Sequence, residues 1–405
     1  MEKYFVKTTE DKVEINVQVP GSKSITNRAL VLAALSNDIC TLEGVSLCED
    51  CQAMIDCLIE LGFEITIDDE RCVVTVRGEG GNIPNSNAKI NVKSAGTVAR
   101  FLSAMLAICG GDYVLYSSEQ MKKRPMKEFL DLLVELGVQI NYLEKEGHFP
   151  FEIHSSGLKD FDIEINTDTS TQYASAMLLT QIISNANITL TGKRVDGSYI
   201  KMTKKMIEDF SSNYLIEPDV SCACYFYAMA LILGTKAKVR GVHLDSLQGD
   251  IKFIKLLEEL GADVTDEGDG VLVDCSLVTS FEGLEVDMHD FSDQALVFAV
   301  VAAFAKTPSV IRNVGHIRHQ ESNRMMVIKS ELEKIGATVD IEGDDIFISP
   351  GYLHGAEIET YDDHRVAMSF AMVGLKIEDI VIQNPKCCAK TFANFFNLLD
   401  EIIQK

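Results

Sequence analysis

The stretch CLIELGFEITI, residues 57–67, joins the end of an amphipathic helix to a strand through one glycine. Three relatives of it recur, LLVELGVQINY (132–142), LLEELGADVTD (256–266) and ELEKIGATVDI (331–341). A helix that stops at glycine is ordinary, because the position after the last helical residue takes left-handed angles that glycine adopts without a clash. Four such stops in two equally spaced pairs are not ordinary: Gly62 and Gly137 are 75 residues apart, and so are Gly261 and Gly336. Degenerate copies close each half, MIEDFSSNYLIE (206–217) and FFNLLDEIIQK (395–405). The period predicts repeated supersecondary units of roughly 70 to 75 residues, three to each half of the chain.

A second element recurs in step with the first. GSKSITNRALVLAAL (21–35), KSAGTVARFLSAML (93–106), DTSTQYASAMLLTQ (168–181), PDVSCACYFYAMAL (218–231), DFSDQALVFAVVAA (290–303) and YDDHRVAMSFAMVG (361–374) begin among small polar residues and continue as apolar helices. Apolar on nearly every side, they are expected to be buried, whereas the helices that end in glycine keep a polar face for solvent. Short Val/Ile-rich strands such as RCVVTVRG (71–78), GDYVLYS (111–117), ANITLTG (186–192) and AKVRGVHL (237–244) lie between them. Each unit is therefore α/β, with strands, one buried helix and one surface helix.

At 405 residues the chain exceeds one ordinary core, and its 46% hydrophobic and 24% charged residues read as globular. A formal net charge of −24 argues against nucleic acid or an anionic membrane as the main partner, so a small anionic substrate needs a local cluster of cations. The N-terminal MEKYFVKTTEDKVEINV lacks a basic segment followed by an apolar run, and no uncharged apolar stretch reaches spanning length, which makes the cytoplasm the expected compartment. Eleven cysteines without a secretory signal are expected to be reduced. Cys48 and Cys51 have C-x-x-C spacing, but no second pair or spaced histidine follows, and neither metal nor cofactor is expected.

The first polar helix start, PGSKSITNRAL (20–30), tests one nucleotide-binding motif. A P-loop in register with Lys23 and Ser24 needs glycines at 22 and 17, where the chain has Ser22 and Val17. A capped helix and an anion site both fit that segment alone, since small N-cap residues and open N–H groups at a helix start suit either. The six starts together favour a site. They carry Lys23 and Arg28, Arg100, Gln172, Asp219, Asp293, and Asp363 with His364 and Arg365. Loops add Lys122, Lys123 and Arg124 before Pro125, Glu321 and Arg324 in HQESNR, and Lys386 and Lys390 before the last helix. Arginine suits bidentate contact with phosphate or carboxylate and lysine supplies a point charge, so a surplus of both implies a substrate with several negative charges. Asp293 and Glu321 are the carboxylates best placed for proton transfer.

In order along residues 20 to 396, the motifs PGSKSITNRAL, SAGTVARF, KKRPMKEFLDLL, STQYASAML, YIKMT, FSDQA, ESNR, YDDHRVAMSF and NPKCCAKTF resemble the 5-enolpyruvylshikimate-3-phosphate synthase family. The resemblance implies two inside-out α/β domains, each of three repeated βαβαββ-like units with buried helices. It implies a discontinuous domain of residues 1–19 plus 218–405, with phosphoenolpyruvate and proton-acceptor residues. Residues 20–217 would be an inserted domain with the shikimate 3-phosphate residues. It also implies transfer of the enolpyruvyl group of phosphoenolpyruvate to the 5-hydroxyl of shikimate 3-phosphate, by a monomer without a cofactor. By similarity Lys23, Ser24, Arg28, Ser170, Thr171, Gln172, Tyr199, Asp293 and Gln320 would bind shikimate 3-phosphate. Lys23, Gly96, Arg124, Gln172, Arg324, Arg365 and Lys390 would bind phosphoenolpyruvate, and Asp293, Glu321 and Lys23 would move protons.

Some positions depart from the family. Gln320 stands where the family has lysine, Asn323 replaces an aspartate and Ser94 a common asparagine. Phe101 stands where proline is frequent, and Asp196-Gly197-Ser198-Tyr199 displaces the serine on the phosphate side. The sister enzyme acting on UDP-N-acetylglucosamine uses a reactive loop cysteine, and this chain has no cysteine between residues 110 and 221.

Overall fold

The computed structural model describes residues 2–9 and 13–404; residues 1 and 10–12 of the expected 1–19 segment, and residue 405 at the end of the last degenerate repeat, lie outside them. The chain forms two compact units, Met1–Pro20 with Pro218–Lys405, and Gly21–Glu217. Among the described residues no helix is long and apolar enough to cross a membrane.

The repeat is physical. In the second unit, strand Asn87–Asn91 leads through helix Gly96–Cys109 to the parallel strand Gly111–Tyr116; helix Lys127–Glu135 and the hairpin Gln139–Tyr142 with Phe151–Ser155 complete the copy. The first unit repeats it: Glu285–Asp287, helix Ala295–Ala303, Ser309–Arg312, helix Arg324–Lys334, then Thr338–Glu342 and Asp345–Ser349. Both sheets run first strand, second, fourth, third. A parallel pair cannot be closed by a tight turn, so the crossover helix is covered by its own sheet and becomes the buried one.

Two further copies borrow an edge strand from elsewhere in the chain. The sheet of Ile39–Glu43, Val73–Arg77 and Ile65–Asp68 is completed by Asn213–Leu215, parallel to Ile39–Glu43. That of Lys236–Arg240, Gly270–Asp274 and Asp263–Asp266 is completed by Ile15–Val17, parallel to Lys236–Arg240. The third copy of each unit lacks the hairpin. Asp162–Asn166 pairs in parallel with Asn187–Thr191, and Glu357–Ile358 with Val381–Gln383, which also takes Lys3–Phe5 antiparallel.

Each of the four glycines ends its helix in the same way. Gly62, Gly137, Gly261 and Gly336 have φ of 88°, 93°, 99° and 102°. The next residue donates its N–H five residues back: Phe63 to Leu58 at 3.0 Å, Val138 to Leu133 at 3.1 Å, Ala262 to Leu257 at 2.9 Å and Ala337 to Leu332 at 3.1 Å. This is the Schellman closure, and it turns each surface helix into the following strand. The helix Lys252–Glu259 shows the division of faces: Phe253, Ile254, Leu256 and Leu257 are buried, while Lys252, Lys255, Glu258 and Glu259 face water.

The crossover helices pack on one another inside each unit: Lys23–Leu35, Gly96–Cys109 and Thr171–Leu179 in one, Val220–Leu233, Ala295–Ala303 and His364–Gly374 in the other. Every residue of Ala295–Ala303 is buried. Truncating one of its large side chains, such as Phe298, to alanine would remove about 3–5 kcal/mol. The starts of these helices are where polar side chains enter an otherwise apolar interior.

Candidate active site

In the first unit the organising group is the guanidinium of Arg324, first residue of the helix Arg324–Lys334 and 2% exposed. Its Nε donates to Asp363 Oδ2 at 2.9 Å and its Nη2 to Asp363 Oδ1 at 3.2 Å, a two-pronged pair. Nη2 also donates to Glu321 Oε2 at 2.9 Å, and Nη1 to Asp293 Oδ1 at 3.2 Å and to Gln320 Oε1. Burial alone would lower the pKa of Arg324, but the charges of Asp363, Glu321 and Asp293 outweigh it and hold the group above the ordinary arginine value. The i, i+3 pairing of Glu321 with Arg324, open to a surface reading in the sequence, is thus part of a buried cluster.

Asp363 serves two structures. It is the N-cap of the helix His364–Gly374, its Oδ1 accepting the Arg365 N–H at 3.0 Å, and it also receives the Ser322 hydroxyl at 2.9 Å. The cap fixes Arg365 on the first turn, whose Nη2 donates to Asp293 Oδ2 at 3.0 Å and to Ser221 Oγ at 3.3 Å. Gln320 Nε2 reaches Asp293 Oδ1 at 3.3 Å, so Asp293 is held on both oxygens. Lys390, nearly buried in the turn before the last helix, lies 3.7 Å from Glu321 Oε1. Lys386 of the same turn is exposed and pairs with Glu2 instead.

In the second unit, Lys23 opens the first buried helix and pairs with Asp50 Oδ2 at 3.1 Å; their side chains are 15% and 4% exposed. Five residues on, Arg28 is 1% exposed. Its Nε donates to Thr203 Oγ1 at 2.8 Å, Nη1 to the Ser24 carbonyl at 2.9 Å, and Nη2 to Ser175 Oγ at 3.1 Å and the Tyr199 carbonyl at 3.5 Å. The rings of Phe101 and Tyr199 lie 5.2 and 5.7 Å from its guanidinium carbon. These partners are all neutral, and burial pulls the Arg28 pKa down to about 10. A cation held this way is ready for an anion.

Around the second helix start, Arg100 donates to the Gly96 carbonyl at 3.2 Å and to the Pro125 carbonyl at 2.7 Å. Gly96 is needed for space: a Cβ there would lie 2.6 Å from Arg124 Nη1 and 2.8 Å from Arg100 Nη1. Pro125 precedes Met126, the N-cap of the helix Lys127–Glu135. Its carbonyl is taken by Arg100 and, at 3.0 Å, by the Tyr173 hydroxyl. Ser170 caps the helix Thr171–Leu179, placing Thr171 and Gln172 on its first turn.

In the first unit Arg324, Arg365 and Lys390 stand among Asp293, Glu321 and Asp363. In the second unit Lys23 pairs with Asp50, and Arg28 is held by neutral partners. Sequence reading missed Asp50, Ser175, Thr203 and Ser221. Thr203 lies four residues after Tyr199 on the buried face of the helix Ser198–Asp209. Lys122 pairs with Glu119 and Glu144, each at 3.0 Å. Among the described residues no group of three or more His, Cys, Asp or Glu has the arrangement of a metal site.

Comparisons with known proteins cover nearly the whole chain. The EPSP synthase (3-phosphoshikimate 1-carboxyvinyltransferase) family matches residues 7–213 and 209–399. The 3-phosphoshikimate 1-carboxyvinyltransferase of Nostoc punctiforme is 35% identical over 97% of both chains, and that of Vibrio atlanticus 34% identical over 96% of both. The fold matches EPSP synthase of Acinetobacter baumannii with a TM-score of 0.80 at 22% identity, over 99% of this chain and 98% of that one. With a family match over nearly the whole chain and 34–35% identity to these enzymes across 96–97% of its length, the chain belongs to the EPSP synthase family.

Proposed function

We infer that this protein transfers the enolpyruvyl group of phosphoenolpyruvate to the 5-hydroxyl of shikimate 3-phosphate, releasing phosphate, in aromatic amino acid biosynthesis. The observation that carries the reading is the grip on Asp293: Arg324 and Gln320 hold one oxygen, Arg365 the other. A carboxylate aimed by three donors is suited to accept the hydroxyl proton as oxygen attacks C2 of phosphoenolpyruvate. C3 gains a proton in the addition, and the tetrahedral adduct then loses phosphate and a C3 proton. Glu321, between Arg324 and Lys390, and Lys23 are assigned to delivery and return of that proton.

Arg324, Arg365 and Lys390 in the first unit, and Lys23, Gly96, Arg124 and Gln172 in the second, are assigned to phosphoenolpyruvate. Shikimate 3-phosphate is assigned to Lys23, Ser24, Arg28, Ser170, Thr171, Gln172, Tyr199, Asp293 and Gln320. Arg28 supports this, since a buried guanidinium with neutral partners is a site for a substrate anion. Phosphate release from phosphoenolpyruvate, followed with and without shikimate 3-phosphate, tests the reading. Release that depends on both substrates is expected; its absence in folded protein that binds them would overturn it.

A further inference from the structure

Asp250 has no role in these assignments, yet it stands one hydroxyl away from the site. It lies in the 3-10 turn Gly249–Ile251 and is 5% exposed. Its Oδ2 accepts the Ser221 hydroxyl; Ser221 Oγ accepts from Arg365 Nη2 at 3.3 Å, and the same nitrogen donates to Asp293 Oδ2 at 3.0 Å. Arg365 is thus shared by two carboxylates, one touched directly and one through Ser221. Asp219, which caps the helix Val220–Leu233, and Cys224, whose thiol reaches the Asp250 carbonyl at 3.7 Å, are further titratable groups near Asp250. Lys252, on the next helix, is turned to Asp290. Burial first, then the charge of Asp293, pushes the Asp250 carboxyl up to about 7, against the pull of Arg365 and Ser221.

We propose that Asp250 is a proton-linked positioning residue, which acts through Ser221 on Arg365 and takes up a proton when an anion docks there. The proposal rests on the reading of Arg365 as a phosphoenolpyruvate ligand. While Asp250 is ionised, the charge of Arg365 is divided, and an incoming anion meets a further negative charge in a poorly screened interior. Once Asp250 is neutral it still hydrogen-bonds Ser221, and Arg365 is shared only by Asp293 and the substrate. Docking of the anion and protonation of Asp250 therefore favour each other, by the same factor in both directions. The sign follows: as pH rises through 7 the ionised fraction grows and affinity for phosphoenolpyruvate falls.

The test is kcat/KM for phosphoenolpyruvate, at saturating shikimate 3-phosphate, in wild type and Asp250→Asn, whose amide keeps the shape and cannot ionise. If docking raises the Asp250 pKa by about one unit, wild type should lose about sixfold between about pH 6.5 and about pH 8.5 beyond any loss in the variant. Equal slopes in the two proteins would overturn the proposal. A wild type without phosphate release dependent on shikimate 3-phosphate would overturn the functional reading instead. Should Asp250→Asn fail to fold, NMR of wild type with isotope-labelled aspartate carboxyls decides. One carboxyl is expected to titrate near 7 and to move higher when phosphoenolpyruvate is added; a spectrum in which no aspartate titrates above about pH 6 refutes it.

Discussion

Replacing Arg28 with methionine separates the stability of the second unit from its proposed chemistry. The fall of the Arg28 pKa to about 10 corresponds to ~3 kcal/mol by which burial disfavours its charged form. Against this stand hydrogen bonds to Thr203, Ser24 and Ser175, each contributing about 1 kcal/mol net. Methionine fills similar space, and Thr203 Oγ1 keeps its bonds to the Tyr199 carbonyl at 2.7 Å and to Ser175 Oγ at 3.0 Å. The two contributions nearly cancel, so the thermal midpoint of the free protein should stay within about 5 °C of wild type. Loss of charge-assisted bonds to a substrate anion has no such compensation and should raise the KM for shikimate 3-phosphate by about 10- to 100-fold. Calorimetry and steady-state kinetics on one preparation decide it. A fall of more than about 10 °C would show that the neutral partners contribute far more than hydrogen bonds of this kind do. An unchanged KM would remove Arg28 from the substrate site.

Asp363→Asn keeps the helix cap but removes the charge paired with Arg324, and unpairing a buried ion of this kind costs about 3 kcal/mol, seen as a midpoint lower by roughly 10 °C. A midpoint within about 2 °C of wild type would mean that Asp293 and Glu321 suffice for Arg324. Gly96→Ala puts a methyl 2.6 Å from Arg124 Nη1, forcing that side chain to move. The KM for phosphoenolpyruvate should rise by about tenfold, a loss of about 1.4 kcal/mol, with little change in midpoint, and an unchanged KM would free Arg124 from that assignment. Gln320→Lys adds a charge beside Asp293 and should lower the KM for shikimate 3-phosphate several-fold, which kinetics at fixed phosphoenolpyruvate would show; no change would mean that the glutamine has no deficit to repair.

The repeats were legible because their signal is local. A Schellman closure needs a glycine and an apolar residue within one turn, and the four copies preserve both at 62, 137, 261 and 336. The edge strands Ile15–Val17 and Asn213–Leu215 were harder, since each joins a sheet whose other members lie elsewhere in the chain. Three-residue strands carry too little alternation to announce their partner. The third copies were legible as degenerate, and the missing hairpin is the structural content of that degeneracy.

The site was legible where it departs from helix composition and hidden where it conforms. Lys23, Arg28 and Arg365 stand out because a cation on an apolar helix needs a reason. Thr203 and Ser175 do not, since small hydroxyls are unremarked inside helices, where they bond a carbonyl one turn back, as Thr203 does to Tyr199. Asp50 and Asp250 were hidden differently. Asp50 sits on the first turn of a surface helix and Asp250 in the 3-10 turn that leads into one, where an acidic residue is the expected complement to exposed N–H groups, so the sequence context already explains each. What the sequence lacks is direction: whether an acid at such a position faces water or turns inward depends on the neighbouring crossover helix. Asp50 turns to Lys23 and Asp250 to Ser221, so in these two copies the acid of the surface helix meets the polar start of the buried one. That pairing follows from the packing of the repeat, and it extends the polar site beyond residues that a motif identifies.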